Sequence, residues 1–312
     1  MYRFTSFLCF LLLTLNLFAA SEQFSLTRED GSTLYGYLDV PENETSFPLV
    51  VFLDGSYETT VKVNHDSLSS RFLPEQIGVI SLEKRGITQE GINKKEFYKY
   101  DCFEGRLKDY SLLLSFIKEK NIERHDGRCI LLGGSEGGLI VPKLNTDFPD
   151  MTTGAVLVGS GGGLPFGEAM KYQSQQTING LNVAQRFALK IRNAVMPNKM
   201  DAFFEKILKD PYSLVMSGPK TWKWWASYLR NPSLNELLKI ETPIYLIHGK
   251  LDSMVPVESA DLISSAFDKE GKTNLAYARY DDLGHALSGR DDVYDDLIGW
   301  IKDLELSDQE LF

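Results

Sequence analysis

Apolar positions follow two rhythms along the chain. From Phe24 to Pro41 they alternate with polar ones in two runs joined at Asp30-Gly31, which predicts a β-hairpin. Pro48-Leu-Val-Val-Phe-Leu-Asp54, Gly78-Val-Ile-Ser-Leu-Glu83, Gly154-Ala-Val-Leu-Val-Gly159 and Pro243-Ile-Tyr-Leu-Ile-His248 are short unbroken apolar runs, the pattern of strands buried on both faces of a parallel sheet. A run that opens at Cys129 and Leu275 to Tyr280 read as further strands. Helical spacing occupies about Leu107 to Lys120, Gly138 to Asn145, Val257 to Phe267 and Asp291 to Leu304. A hairpin followed by strands that alternate with helices predicts an α/β fold with an open, mostly parallel sheet. Sites in such sheets lie at the carboxyl ends of the strands.

The alternation stops between 163 and 238. That stretch carries three of the four tryptophans, Trp222, Trp224 and Trp225, and reads as several short helices with no clear strand. It is expected to be a helical insertion at 163–238 between two pieces of core, 21–162 and 239–312. Because it leaves from a strand end, it is also expected to roof the site. Residues 1–20 combine Arg3, an apolar run and small residues at Ala19-Ala20, the layout of a signal peptide. The expected location is therefore secreted or periplasmic, with a membrane anchor as the alternative if the segment is not cleaved.

Composition narrows the function classes. A net charge of −10 argues against nucleic acid as a partner, and no stable membrane insertion is expected once the signal is removed. Beyond the signal only Cys102 and Cys129 remain, so neither a disulfide framework nor a cysteine metal cluster is predicted, although one bridge between them stays open. No feature implies a cofactor or a metal.

The chemistry concentrates in Cys129-Ile-Leu-Leu-Gly-Gly-Ser-Glu-Gly-Gly-Leu-Ile-Val141. Gly133, Ser135 and Gly137 match G-x-S-x-G, a sharp strand-to-helix turn that exposes a serine hydroxyl above a sheet. Glycines flank such a turn because a Cβ there would collide with neighbouring backbone. A serine needs a base. Of the four histidines, His65 reads as part of a polar loop, His125 lies at the amino end of its strand, and His248 reads as a packed strand end. His285, in the loop after the last strand, is the candidate base. Asp252, in a turn ending at Pro256, is the candidate acid, with Asp281 and Asp282 as competitors in the loop of His285.

These segments carry a resemblance. Gly-Gly-Ser135-Glu-Gly-Gly-Leu-Ile-Val-Pro142 resembles the G-H-S-E-G-G-L-I-A-P elbow of bacterial α/β-hydrolase-fold serine esterases. His248-Gly-Lys-Leu-Asp252-Ser-Met-Val-Pro256 is similar to their H-G-x-x-D-x-x-V-P turn, and Glu83-Lys-Arg85-Gly86 to their D-x-R-G segment. The resemblance implies an α/β-hydrolase fold with a helical lid and the order Ser135, Asp252, His285 for nucleophile, acid and base. It also implies an oxyanion hole from the backbone N–H groups of Glu136 and Ser56, with Tyr57 as the neighbouring alternative. Two departures stand out. Gly134 replaces a histidine and should widen the floor of the site, and Leu53-Asp54-Gly55-Ser56 stands where the family has His-Gly. Asp54 thus brings a carboxylate near the site, with Arg85 as its candidate partner.

The resulting expectation is a serine hydrolase acting on a small ester or other acyl substrate through an acyl-enzyme, most simply a carboxylesterase. A serine peptidase, thioesterase or acyltransferase on the same fold, or a non-catalytic binding protein, are the alternatives. Between 165 and 240 eleven basic side chains face five acidic ones on an acidic chain. Lys223 and Arg230, beside the tryptophans, are the candidates for attracting an anionic substrate. Tyr57, Trp224 and Arg230 are the expected substrate-binding residues.

Overall fold

A computed structural model describes residues 22–43, 45–182 and 199–304. The expected signal segment lies outside them, as do Arg186, Lys190 and Arg192 of the basic stretch. The hairpin forms as the alternation predicts: β1 (Glu22–Thr27) and β2 (Thr33–Asp39) pair antiparallel, with Leu26 opposite Leu34 and Gly31 at φ 76° in the turn. Strand β2 pairs antiparallel with β4 (Gly78–Leu82), and from there all neighbours are parallel. The sheet runs β1-β2-β4-β3-β5-β6-β7-β8, with β3 at Phe47–Leu53, β5 at His125–Gly134, β6 at Gly154–Val158, β7 at Ile244–Gly249 and β8 at Leu275–Tyr280. It is the α/β-hydrolase fold.

In chain order the described α-helices are α1 (Lys62–Phe72), α2 (Lys94–Tyr100), α3 (Phe103–Lys120), α4 (Glu136–Asp147) and α5 (Phe166–Asn179). They continue with α6 (Met200–Lys209), α7 (Trp222–Arg230), α8 (Leu234–Leu237), α9 (Val257–Glu270) and α10 (Asp291–Asp303). Strands β3, β4, β6 and β7 are buried at every position because helices cover both faces. Consecutive residues serve opposite layers. Leu49, Val51 and Leu53 pack with Leu113, Ile140, Leu144 and Ile263 of α3, α4 and α9. Val50 and Phe52 pack with Leu68, Phe72, Leu297 and Ile301 of α1 and α10. Each such side chain contributes about 1.5–3 kcal/mol of burial, which fixes the sheet and hence the strand ends.

Two helices were not predicted. In α1 only Leu68 and Phe72 make an apolar stripe, too thin to read against Lys62, Asn64, Asp66 and Arg71. His65 is therefore not in a polar loop but fully buried in α1, where Ser81 Oγ meets Nδ1 at 2.9 Å and Asp39 stands 3.2 Å from Nε2. The other is α2, whose Phe97 alone is buried. Cys102 and Cys129 are free buried thiols, so no bridge forms. Burial pushes the Cys129 thiol up to about 12.

Between β6 and β7 the described residues include α5 to α8 and a small unpredicted ribbon, Met216–Ser217 paired with Lys220–Thr221, turned by Gly218 at φ 64°. The ring of Phe166 packs on Trp224, Trp225 and Tyr228, so the aromatic residues largely fill a core of their own against α3 and α4. No helix among the described residues is long and apolar enough to cross a membrane.

Candidate active site

Strand β5 runs directly into the serine turn. Ser135 has φ 51° and ψ −117°, a conformation a residue with a Cβ adopts only when its surroundings force it. They do so here by close approach on every side. The Ser135 N–H donates to Val158 O at 2.9 Å, a Cβ on Gly133 would stand 2.5 Å from Gly138 Cα, and one on Gly137 would stand 2.0 Å from Leu53 O. Helix α4 begins at Glu136, so its first N–H groups, which have no acceptor within the helix, open beside the hydroxyl.

The three residues singled out in sequence are brought together. His285 Nε2 lies 3.0 Å from Ser135 Oγ, and Nδ1 lies 3.0 and 2.9 Å from the two Asp252 carboxylate oxygens. A carboxylate can only accept, so Nδ1 carries the proton and Nε2 presents a lone pair to the serine. Asp252 is itself held: Oδ1 accepts the N–H groups of Met254 and Val255, each at 2.8 Å. His248 is turned to other work. Its Nε2 donates to Val255 O at 3.1 Å and stands 3.4 Å from Asp252, and burial lowers its pKa, so it braces the turn as a neutral ring. Asp281 pairs with Lys250 and Arg279, and Asp282 with Arg290, away from the imidazole.

Residues 54–57 pass beside the serine, where a Cβ on Gly55 would lie 3.5 Å from Ser135 Cβ. The Asp54 carboxylate does not pair with Arg85. It accepts from Asn64 at 2.9 Å, while Arg85 forks onto Asp109 at 2.9 and 2.5 Å and stacks on the Tyr100 ring. Arg85 follows β4 and faces α3, which offers a fully built carboxylate partner.

A buried charged cluster under this loop was not foreseen. The Glu136 side chain accepts from Arg106 Nη1 at 2.6 Å and from Trp224 Nε1 at 2.8 Å. Burial by itself would raise Glu136, but Arg106, then Lys220 and Lys84, outweigh it and hold the carboxyl at about 2. Arg106 Nη2 also donates to Asp54 O at 2.5 Å. Lys220 Nζ donates to Ser56 O at 2.9 Å and to Asp101 at 2.7 Å, and Lys84 Nζ to Tyr57 O at 2.6 Å. One signal was present in the sequence: Arg106 lies on the same stripe of α3 as Phe103, Tyr110 and Leu113, all buried.

Ser135 stands between two cavities. Towards the segment after β6 is a pocket of about 50 Å³, lined by Leu139, Leu164, Phe166, Ala169, Met170 and Tyr228 among others. On the other side is a cleft of about 400 Å³ that includes Asp54, Tyr57, Gly134, His285, Leu287 and Tyr294. Gly134 opens this cleft as expected, since a Cβ there would meet nothing nearer than Phe52 at 4.0 Å. Of the expected substrate-binding residues only Tyr57 lines a cavity beside Ser135. Trp224 is buried beneath, committed to Glu136. Arg230 pairs with Glu104 at 3.4 Å and covers the Tyr212 ring, and Lys223 donates to Lys99 O. Asp39, His65 and Asp66 bring ligand atoms within 4.8 Å of one another, but Asp66 is engaged by Lys62 and His65 by Ser81.

Comparison with known proteins bears on the fold and the family. No curated protein matches the chain in sequence. The structure is similar to Est1E from Butyrivibrio proteoclasticus, solved with ferulic acid bound, at 15% identity and TM-score 0.63, over 90% of this chain and 98% of that one. It is also similar to a thermostable carboxyl esterase from Bacillus coagulans, at 15% identity and TM-score 0.63, over 91% and 97%. The Pyrococcus furiosus esterase Pf2001 follows at 16% identity and TM-score 0.58, over 90% and 91%. These likenesses establish the shared fold. Residues 45–292 match the family described as serine aminopeptidase, S33, and the chain therefore belongs to that family of α/β-fold hydrolases.

Proposed function

We propose that the protein is a serine carboxylesterase that forms an acyl-enzyme on Ser135. The observation that carries this reading is the hydrogen-bonded series Asp252, His285, Ser135 at the junction of two cavities. His285 Nε2 takes the hydroxyl proton as Ser135 Oγ bonds to the ester carbonyl carbon, and the carbonyl π electrons move onto oxygen. The N–H groups of Glu136 and of Ser56 or Tyr57 receive that oxyanion. As the tetrahedral species collapses, the C–O bond to the alcohol breaks and His285 gives the proton to the departing oxygen. Water repeats the sequence on the acyl-enzyme and releases the acid.

This chemistry assigns the cavities. The leaving alcohol must depart on the side of His285, which lines the 400 Å³ cleft, so the acyl group takes the 50 Å³ pocket. That pocket has room for on the order of four small carbon groups. It also favours an ester over an aminopeptidase substrate. The carboxylate available there to meet an α-ammonium is Glu136, whose two oxygens are already taken by Arg106 and Trp224. Nor do the described linings of the two cavities include a lysine or arginine that would select an anion.

A fluorophosphonate probe should label Ser135 in the folded protein, and p-nitrophenyl acetate and butyrate should be hydrolysed at least about tenfold faster, in kcat/KM, than the octanoate. Absence of labelling would return the scaffold to a binding role. Faster cleavage of aminoacyl arylamides than of any ester would establish the peptidase instead. We further propose that residues 1–20 direct export, so that the enzyme acts outside the cytoplasm; a mature protein that retains Met1 in the cytosolic fraction would exclude it.

A further inference from the structure

We propose that Lys220, which belongs to the segment between β6 and β7, is a positioning residue that sets the oxyanion-binding loop. The proposal rests on the acyl-enzyme reading above and adds a part that the sequence did not reveal. Three cations grip three carbonyls of one short loop: Arg106 holds Asp54 O, Lys220 holds Ser56 O and Lys84 holds Tyr57 O. A trans peptide is planar, so holding a carbonyl fixes the N–H on its far side. The Ser56 carbonyl and the Tyr57 N–H share one such plane, which Lys220 orients directly. The Gly55–Ser56 peptide, which carries the Ser56 N–H, lies between that plane and the Asp54–Gly55 plane held by Arg106. Whichever of the two amides meets the oxyanion, its direction depends on Lys220.

The side chain is built for holding rather than for solvation. Only 7% of it is exposed, its ammonium is paired with Asp101, itself 2% exposed, and it lies over the rings of Trp224 and Phe97 at 5.2 and 5.5 Å. Ordering a long cationic side chain in such a place costs desolvation that a surface lysine avoids, and the Asp101 carboxylate and the Ser56 carbonyl together offset it. Lys220 enters from the ribbon Met216–Ser217/Lys220–Thr221, which is followed at once by α7 and the Trp224 that caps the Glu136 carboxylate. The same short piece of chain therefore braces both sides of the expected hole: the loop through Lys220 and the start of α4 through Trp224. The segment above the site is then part of the machinery that stabilises charge, not only a cover that selects substrates.

The test compares Lys220→Met and Lys220→Arg with wild type, each at a concentration set by titrating the reactive serine with a fluorophosphonate. Wild type must label for the comparison to begin, so failure of the esterase reading shows in that first step and is distinct from failure of this one. Lys220→Met is expected to lower kcat for p-nitrophenyl acetate by about 10–100-fold per titrated site, less than outright loss of an oxyanion donor, with KM changed less than about threefold. Its affinity for an alkyl trifluoromethyl ketone, whose hemiketal oxyanion needs the same donors, should fall by a similar factor. Lys220→Arg, which keeps the charge and the donors, should recover most of both. Because Lys220→Met leaves Asp101 buried without its partner, Lys220→Met/Asp101→Asn serves as the variant that removes this penalty. It should regain thermal stability yet keep the low kcat and the weak ketone binding. Wild-type kcat and ketone affinity per titrated site in either Met variant would overturn the proposal and leave Lys220 a purely structural residue.

Discussion

Ser135→Ala is expected to lower kcat for a short-chain aryl ester by at least about 10⁴-fold while shifting the melting temperature by no more than a few degrees. The two effects separate because the hydroxyl makes no contact that the core needs: its partner is His285 Nε2, whose side chain is 17% exposed at the cleft. Alanine also keeps the Cβ, so the backbone strain at φ 51° is unchanged. His285→Ala should lose as much, and the double variant little more, since in the proposed mechanism nucleophile and base act as one unit. His248→Ala provides the contrast. That ring is fully buried and bonds Val255 O, so its loss should lower stability and reduce kcat less than His285→Ala does. If His285→Ala keeps near wild-type activity and His248→Ala is inactive, the base has been assigned to the wrong histidine.

The parts legible in sequence were those with local rules behind them. Strands such as Leu49 to Leu53 and Ala155 to Val158 are buried on both faces and so are apolar throughout, which leaves an unbroken run. The serine turn was legible because close packing permits only glycine at 133 and 137, and His285 and Asp252 because each follows a strand end. What stayed hidden depends on tertiary partners. The Asp54 carboxylate turned to Asn64 because α1 brings an amide beside it, and α1 itself carries too thin an apolar stripe to announce itself. Lys223 and Arg230 flank the tryptophans in sequence but find Lys99 O and Glu104 on the outer side. Lys220 reads like any surface lysine, and only the meeting of the ribbon, Asp101 and the loop at 54–57 makes it different.

Arg106→Met is expected to cost about 3–5 kcal/mol of stability at neutral pH, because it strands the Glu136 carboxylate in the interior with Trp224 as its remaining direct donor. In the wild-type protein Glu136 is held at about 2, well below its ordinary value of 4.5. Its ionised form therefore adds stability that is fully present above pH 4.5 and is lost as pH falls towards 2. Without Arg106 only Lys220 and Lys84 are left to oppose burial, so the carboxyl should shift upward from about 2. The stability that its ionised form contributes shrinks by that upward shift, and in the variant what is left is lost at a higher pH than in wild type. The difference from wild type should consequently be largest at pH 7 and narrow on approach to pH 4, as read from urea unfolding at the two values. Arg106→Met/Glu136→Gln, which removes the stranded charge but keeps an oxygen for the Trp224 N–H, should be more stable than Arg106→Met alone at pH 7. Equal stability of Arg106→Met and wild type at pH 7, or a gap that does not narrow in acid, would show that the ion pair beneath Ser135 does not hold the start of α4 in place.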